Sequence, residues 1–159
     1  LKTAPAFEAA LLAGARLAGP VDSVREPLAR YARQLGVAYQ IVNDLADWTG
    51  DTGNKIDRAT DLLAGRPTIL WALALQRLPN AGRRELESIA AGGCSQPGAI
   101  ERASQLYRDA QVFERAHALL EKHHARAIEA ASQISNESLR RLLHFLADAI
   151  VDRKNLVAG

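Results

Sequence analysis

Methionine is absent from the 159 residues, cysteine occurs once, and aromatic residues make up only 5% of the chain. The lone Cys94 has no partner for an internal disulfide and no second thiol for a zinc site. That usage fits a reducing compartment and makes the cytoplasm the expected location. A chain that opens at Leu1 without any methionine reads as an interior or C-terminal piece of a longer protein. Long hydrophobic runs are also missing. No stretch of about eighteen apolar residues occurs, and Lys2, Glu8 and Arg16 interrupt the apolar opening up to Gly19, so neither a membrane span nor a secretory signal is expected. Nor does one sign of charge prevail, the formal net charge being +2. The basic pairs Arg83-Arg84, Arg140-Arg141 and Arg153-Lys154 sit among carboxylates without aromatic interleaving, which argues for solvated helix faces and against nucleic-acid binding.

What is present is a composition with 48% hydrophobic and 24% charged residues, suited to one domain with a sizeable core. Apolar residues recur at helical spacing along nearly the whole chain, and no stretch alternates or concentrates Val, Ile, Thr and aromatics as strands do. The expected fold is therefore all-α, a single unit over residues 1–159. A first helix is predicted from Lys2 to about Ala18, closed by Gly19-Pro20. A capping box from Ser23 to Glu26 opens the second, which buries Leu28, Tyr31, Ala32, Leu35, Val42 and Leu45 and carries residues 40–47 near its C-terminus. Gly50, Gly53 and Asn54 predict a loop over 49–56, then a short helical segment to Gly65 and a helix from Pro67 to about Leu78. Further helices are predicted near 83–91, over 98–133 with a break around 109, and over 136–153. The last should bury Leu139, Leu142, Leu143, Leu146, Ala149 and Ile150.

The chemistry is concentrated in Gln40-Ile41-Val42-Asn43-Asp44-Leu45-Ala46-Asp47 and in Asp61 to Thr68. At about 100° per residue, Gln40, Asn43, Asp44 and Asp47 fall within about a third of the helix circumference. Magnesium takes hard oxygen ligands and keeps several waters, so one or two carboxylates plus substrate phosphate oxygens suffice to bind it. Lys2, Lys55 and Arg66 are candidates for the remaining diphosphate charge, Arg gripping phosphate oxygens bidentately and Lys acting as a point charge. Carboxylates crowded at a helix C-terminus oppose the helix dipole, and a bound cation would relieve that cost. The plain alternative is a polar last turn on a surface helix.

Lys2-Thr3-Ala4, Tyr39-Gln40-Ile41-Val42-Asn43-Asp44-Leu45-Ala46-Asp47, Asp61-Leu62 and Gly65-Arg66-Pro67-Thr68 resemble, in order and spacing, the C-terminal half of a trans-prenyl diphosphate synthase of the polyprenyl synthetase family. The terminal Leu146 to Arg153 is similar to that family's ending. The resemblance implies the C-terminal helices of an isoprenoid-synthase bundle. It also implies magnesium-dependent elongation of an allylic diphosphate by isopentenyl diphosphate. Carried onto this chain, Asn43, Asp44, Asp47 and Asp61 would be the metal-site residues, Lys2, Lys55 and Arg66 would hold diphosphate, and Thr3 and Gln40 would lie beside the developing cation. The expected partners are the missing N-terminal half and, as a homodimer, a second copy.

Three departures from the family pattern stand out. Asn43 replaces the first Asp of an Asp-Asp-x-x-Asp motif, which removes one negative charge; Arg66 stands where Lys is usual; and Lys55 is a residue or two out of register with Asp61. The half carrying the family's first acidic motif has no counterpart here, so the chain alone is expected not to catalyse elongation. Asn43 to Asp51 also resembles the Asn/Ser/Glu triad of class I terpene cyclases, although Lys2-Thr3, Gln40 and Gly65 to Thr68 do not fit that reading. A non-catalytic partner subunit is a further alternative, supported by Asn43. Glu114 with His117 and Glu121 with His124 imitate di-iron motifs, but such pairs must come from facing helices, and these share one.

Overall fold

A computed structural model describes residues 3–49, 59–92 and 98–152, with the side chain of Thr49 excepted. Those residues form eight helices and no strand: α1 (Thr3–Ala18), α2 (Arg25–Thr49), α3 (Thr60–Leu63), α4 (Ile69–Arg77), α5 (Asn80–Ala90), α6 (Ala99–Asp109), α7 (Val112–Ser132) and α8 (Glu137–Asp152). The all-α expectation holds. Contacts divide the chain into two compact units, with the boundaries falling inside α2 after Val42 and inside α7 after Ala118.

The first unit contains α1, the opening part of α2, the latter part of α7, and α8. Leu28, Tyr31 and Leu35 of α2 are buried against Ala127, Ala130 and Ala131 of α7 and against Leu143 and Ala147 of α8. The alanines on α7 leave room for the larger side chains, and each buried leucine contributes roughly 1.5–3 kcal/mol. Tyr31 is buried whole because its hydroxyl has a partner, donating to the Leu143 carbonyl at 2.6 Å. Burial, reinforced by the Asp148 charge, pushes its ionisation above the ordinary tyrosine range. Gly36 brings α1 onto α2: a Cβ there would lie 2.7 Å from the Ala4 Cα and 2.9 Å from its nitrogen.

The second unit contains the end of α2, α3 to α6 and the start of α7. Helix α5 packs on α3 and α6, and α4 packs on α6. Buried Leu62, Leu70, Leu86, Leu106 and Val112 anchor these elements. At the end of α2, Trp48 packs on Tyr107 and Phe113 with ring centroids 4.6 and 5.9 Å away, tilted to the first and edge-on to the second.

Three local differences from the sequence reading have identifiable causes. Helix α5 starts at Asn80 rather than near 83, because Pro79 with φ −64° is already set for helix entry and its carbonyl accepts the Arg83 amide. The break expected around 109 falls at Ala110 and Gln111, where Gln111 adopts a left-handed φ of 55°. Helix α8 buries Leu143 and Ala147, while Leu142 and Leu146, expected on the buried face, remain 52% and 37% exposed beside Phe145 at 67%. The apolar arc of α8 is wider than the first unit covers. Among the described residues no helix is long and apolar enough to cross a membrane.

Candidate functional site

The end of α2 is stitched to α3 by one side chain. Asp47 Oδ1 accepts the Thr60 amide at 3.1 Å and the Thr60 hydroxyl, and Oδ2 accepts the Asp61 amide at 3.1 Å. The Asp47 carbonyl accepts the Ala59 amide at 2.9 Å. Ala59 is fully buried in a left-handed conformation with φ 59°, a state costing a Cβ-bearing residue roughly 1–2 kcal/mol. Its bond to Asp47 helps hold that strain.

The Gly65-Arg66-Pro67-Thr68 run has a local physical basis. Gly65, with φ 61°, donates its amide to the Leu62 carbonyl at 3.0 Å, and Arg66 donates its amide to the Asp61 carbonyl at 2.8 Å. Together these bonds form a Schellman cap, which needs a left-handed residue at the glycine position. The cap folds Arg66 back over Asp61, and the guanidinium meets Asp61 Oδ1 at 3.0 Å. With Arg66 69% and Asp61 25% exposed, such a pair contributes only about 0–1 kcal/mol. Both groups stay accessible to ligands.

Pro67 separates that cap from α4, where Thr68 accepts the Trp71 amide at 3.1 Å as N-cap. Asp44 completes the same turn. Its side chain is 2% exposed, and its Oδ2 accepts the Ile69 amide at 2.8 Å, so a buried carboxylate meets the positive end of a helix. Burial, followed by the charges of Asp44 and Asp47, raises the ionisation of buried Tyr107 above the tyrosine range and keeps its hydroxyl protonated.

The candidate metal residues therefore differ in surroundings. Asn43 is exposed, Asp44 is buried, Asp47 is half-buried, and Asp61 sits beside Arg66. In the first unit, Thr3 Oγ1 and Gln40 Oε1 stand 3.5 Å apart, at the outer limit of a hydrogen bond, on the seam that Gly36 allows between α1 and α2. Lys2 and Lys55 lie outside the described residues. The sequence motifs include Thr68 but not its capping role, and they do not mark Thr60. Thr68, immediately before an apolar helical run, carries an N-cap signal, whereas the role of Thr60 depends on a contact across thirteen residues. Among the described residues no group of three or more His, Cys, Asp or Glu side chains gathers to hold a metal by itself. The donors at this end are all hard oxygens, which suits magnesium held jointly by a few protein groups and a phosphate.

Residues 1–109 match the family model described as polyprenyl synthetase. The chain is 32% identical over 156 residues to the all-trans-nonaprenyl-diphosphate synthase (geranyl-diphosphate specific) of Rhodobacter capsulatus, covering 96% of this chain and 46% of that protein. It is 31% identical to the octaprenyl diphosphate synthase of Haemophilus influenzae, with the same coverage. Among solved structures, the polyprenyl synthase of Caulobacter crescentus, complexed with calcium and isoprenyl diphosphate, matches with TM-score 0.80 and 27% identity over 94% of this chain and 46% of its own. The chain thus spans about half the length of the curated relatives it matches.

Proposed function

Because the chain belongs to the polyprenyl synthetase family, we propose that it supplies one half of a magnesium-diphosphate site. The protein containing it would join isopentenyl diphosphate to an allylic diphosphate. The observation that carries this reading is the pairing of Asp61 with Arg66 at the end of α3, anchored to the acidic end of α2 through Asp47. One anion suited to a metal and one cation suited to a phosphate are held side by side.

Of the four candidate residues, Asn43 and Asp61 would be the accessible oxygen donors toward magnesium, while Asp44 is buried on the Ile69 amide and Asp47 is largely used by Thr60 and Asp61. When bound, the metal would neutralise the leaving diphosphate and favour its departure. Arg66 would hold phosphate oxygens through its planar fork, with Lys2 and Lys55 adding positive charge. Thr3 and Gln40 present neutral oxygens whose dipoles would favour a developing allylic cation without capturing it as a carboxylate could. The second substrate's double bond would attack that cation, and loss of a proton would complete the new double bond.

The relatives named above are synthases making products of different length, so the proposal stays at the class of reaction. The cyclase and retired-subunit readings have no support beyond Asn43. The family's first acidic motif is absent from this chain, and elongation is proposed for the protein that includes it. Incubating that intact protein with magnesium, isopentenyl diphosphate and C5, C10 or C15 allylic diphosphates is expected to yield products longer than the primer. No elongated product with any primer would contradict the proposal.

A further inference from the structure

Asp47 makes more bonds inside the protein than a metal donor needs. Its carboxylate accepts three hydrogen bonds, two from Thr60 and one from Asp61, and its carbonyl accepts a fourth from Ala59. A carboxylate offers about four lone-pair sites, so this arrangement leaves about one for anything else. Three consecutive residues, 59 to 61, are fastened to a single position on α2. From there the linkage continues, since Asp61 receives both the amide of Arg66 at 2.8 Å and its guanidinium at 3.0 Å.

We propose that Asp47 is a positioning residue: its carboxylate clamps the start of α3, and through that clamp sets where Asp61 and Arg66 stand for magnesium and diphosphate. The inference rests on the diphosphate reading given above and assigns Asp47 a different task from Asp61 and Asn43. Thr60 is the other jaw of the clamp. It carries no charge and has no use as a strong metal ligand, so its contribution passes through Asp47. The strained Ala59 marks where the chain must turn to reach the clamp.

The test uses the intact protein containing this chain and four variants, Asp47→Asn, Thr60→Val, Thr60→Ser and the double variant Asp47→Asn with Thr60→Val. Amide hydrogen exchange at residues 59–61 is read on ligand-free protein, and binding of inorganic pyrophosphate with magnesium is read by calorimetry. Thr60→Val is expected to speed exchange and to weaken pyrophosphate binding by about tenfold to a hundredfold, the scale of one hydrogen bond to a charged group. Thr60→Ser should restore both, and Asp47→Asn combined with Thr60→Val should be little worse than Asp47→Asn alone. If Asp47→Asn weakens magnesium binding while Thr60→Val changes neither exchange nor binding, Asp47 is a ligand and the proposal is overturned. Unchanged exchange in Asp47→Asn overturns it equally. An intact parent protein that does not bind magnesium pyrophosphate overturns the diphosphate reading instead, and the ligand-free exchange tells the two failures apart.

Discussion

At the scale of single residues, the sharpest steric constraint is Gly36. Replacing it with alanine would drive a Cβ into the Ala4 backbone, which cannot move aside as a flexible side chain does. Gly36→Ala is therefore expected to destabilise the fold by roughly 1–3 kcal/mol, lower the melting temperature, and separate Thr3 from Gln40. Thermal unfolding together with an NMR contact between α1 and α2 would check it. His123 gives a pH dependence of definite sign. Burial first, then the charges of Arg126 and Lys122, hold its imidazole below the ordinary value while Nδ1 pairs with the Gln34 Oε1 at 2.8 Å. The folded state thus takes up the proton less readily than the unfolded chain. The associated stability is present above the ordinary histidine value of about 6.5 and is lost as pH falls through the depressed folded value. His123→Gln should flatten the decline in melting temperature between about pH 7 and pH 5; an unchanged slope would assign the decline to other groups. Residue identities such as Asp61, Arg66 and Gln40 were legible in the sequence because charge and spacing are local properties. The tasks of Thr60 and Asp44 were not, because each depends on a partner that only the fold brings near.

At the scale of elements, helix existence followed from apolar periodicity, and helix ends followed from particular residues. The left-handed Gly65 and the breaker Pro67 were visible as punctuation, but not the Schellman cap that turns Arg66 onto Asp61. Helix α4 depends on two side-chain acceptors, Thr68 and Asp44, for its first turn. Thr68→Ala should cost about 1 kcal/mol, seen as earlier unfolding in urea with an unchanged slope, while Thr68→Ser should be nearly neutral. A cost to Thr68→Ser as large as that to alanine would show that methyl packing matters more than the cap. For α8 the helical period was read correctly and the buried arc was drawn too wide. Which part of an amphipathic face is covered depends on neighbours, and in the first unit those neighbours reach Leu143 and Ala147 but leave Leu142 and Phe145 in solvent.

At the scale of the whole molecule, that uncovered arc is a departure from a self-contained surface among the described residues. Phe7, Leu11, Leu35, Leu146 and Ile150 border an apolar groove of ≈ 250 Å³ beside it. Contiguous exposed apolar surface drives association, and the chain spans 46% of its first-named relative. Purified alone, it is expected to self-associate, and Leu142→Glu with Phe145→Glu should shift sedimentation toward monomer without loss of helical circular dichroism. Concentration-independent monomer in the parent chain would contradict this. The family and its all-α architecture were legible because several short motifs agreed in order over the chain. The departure at Asn43 bears most directly on function, since it removes one negative charge from an exposed position at the acidic end of α2. A magnesium titration of Asn43→Asp against the parent, both made in the intact protein that includes this chain and each with pyrophosphate present, reads that charge at the site itself. If the end of α2 binds the metal, the restored carboxylate should tighten magnesium binding by about tenfold, the scale of one charged ligand contact; equal affinity in the two proteins would place the metal elsewhere and remove the basis for the diphosphate site.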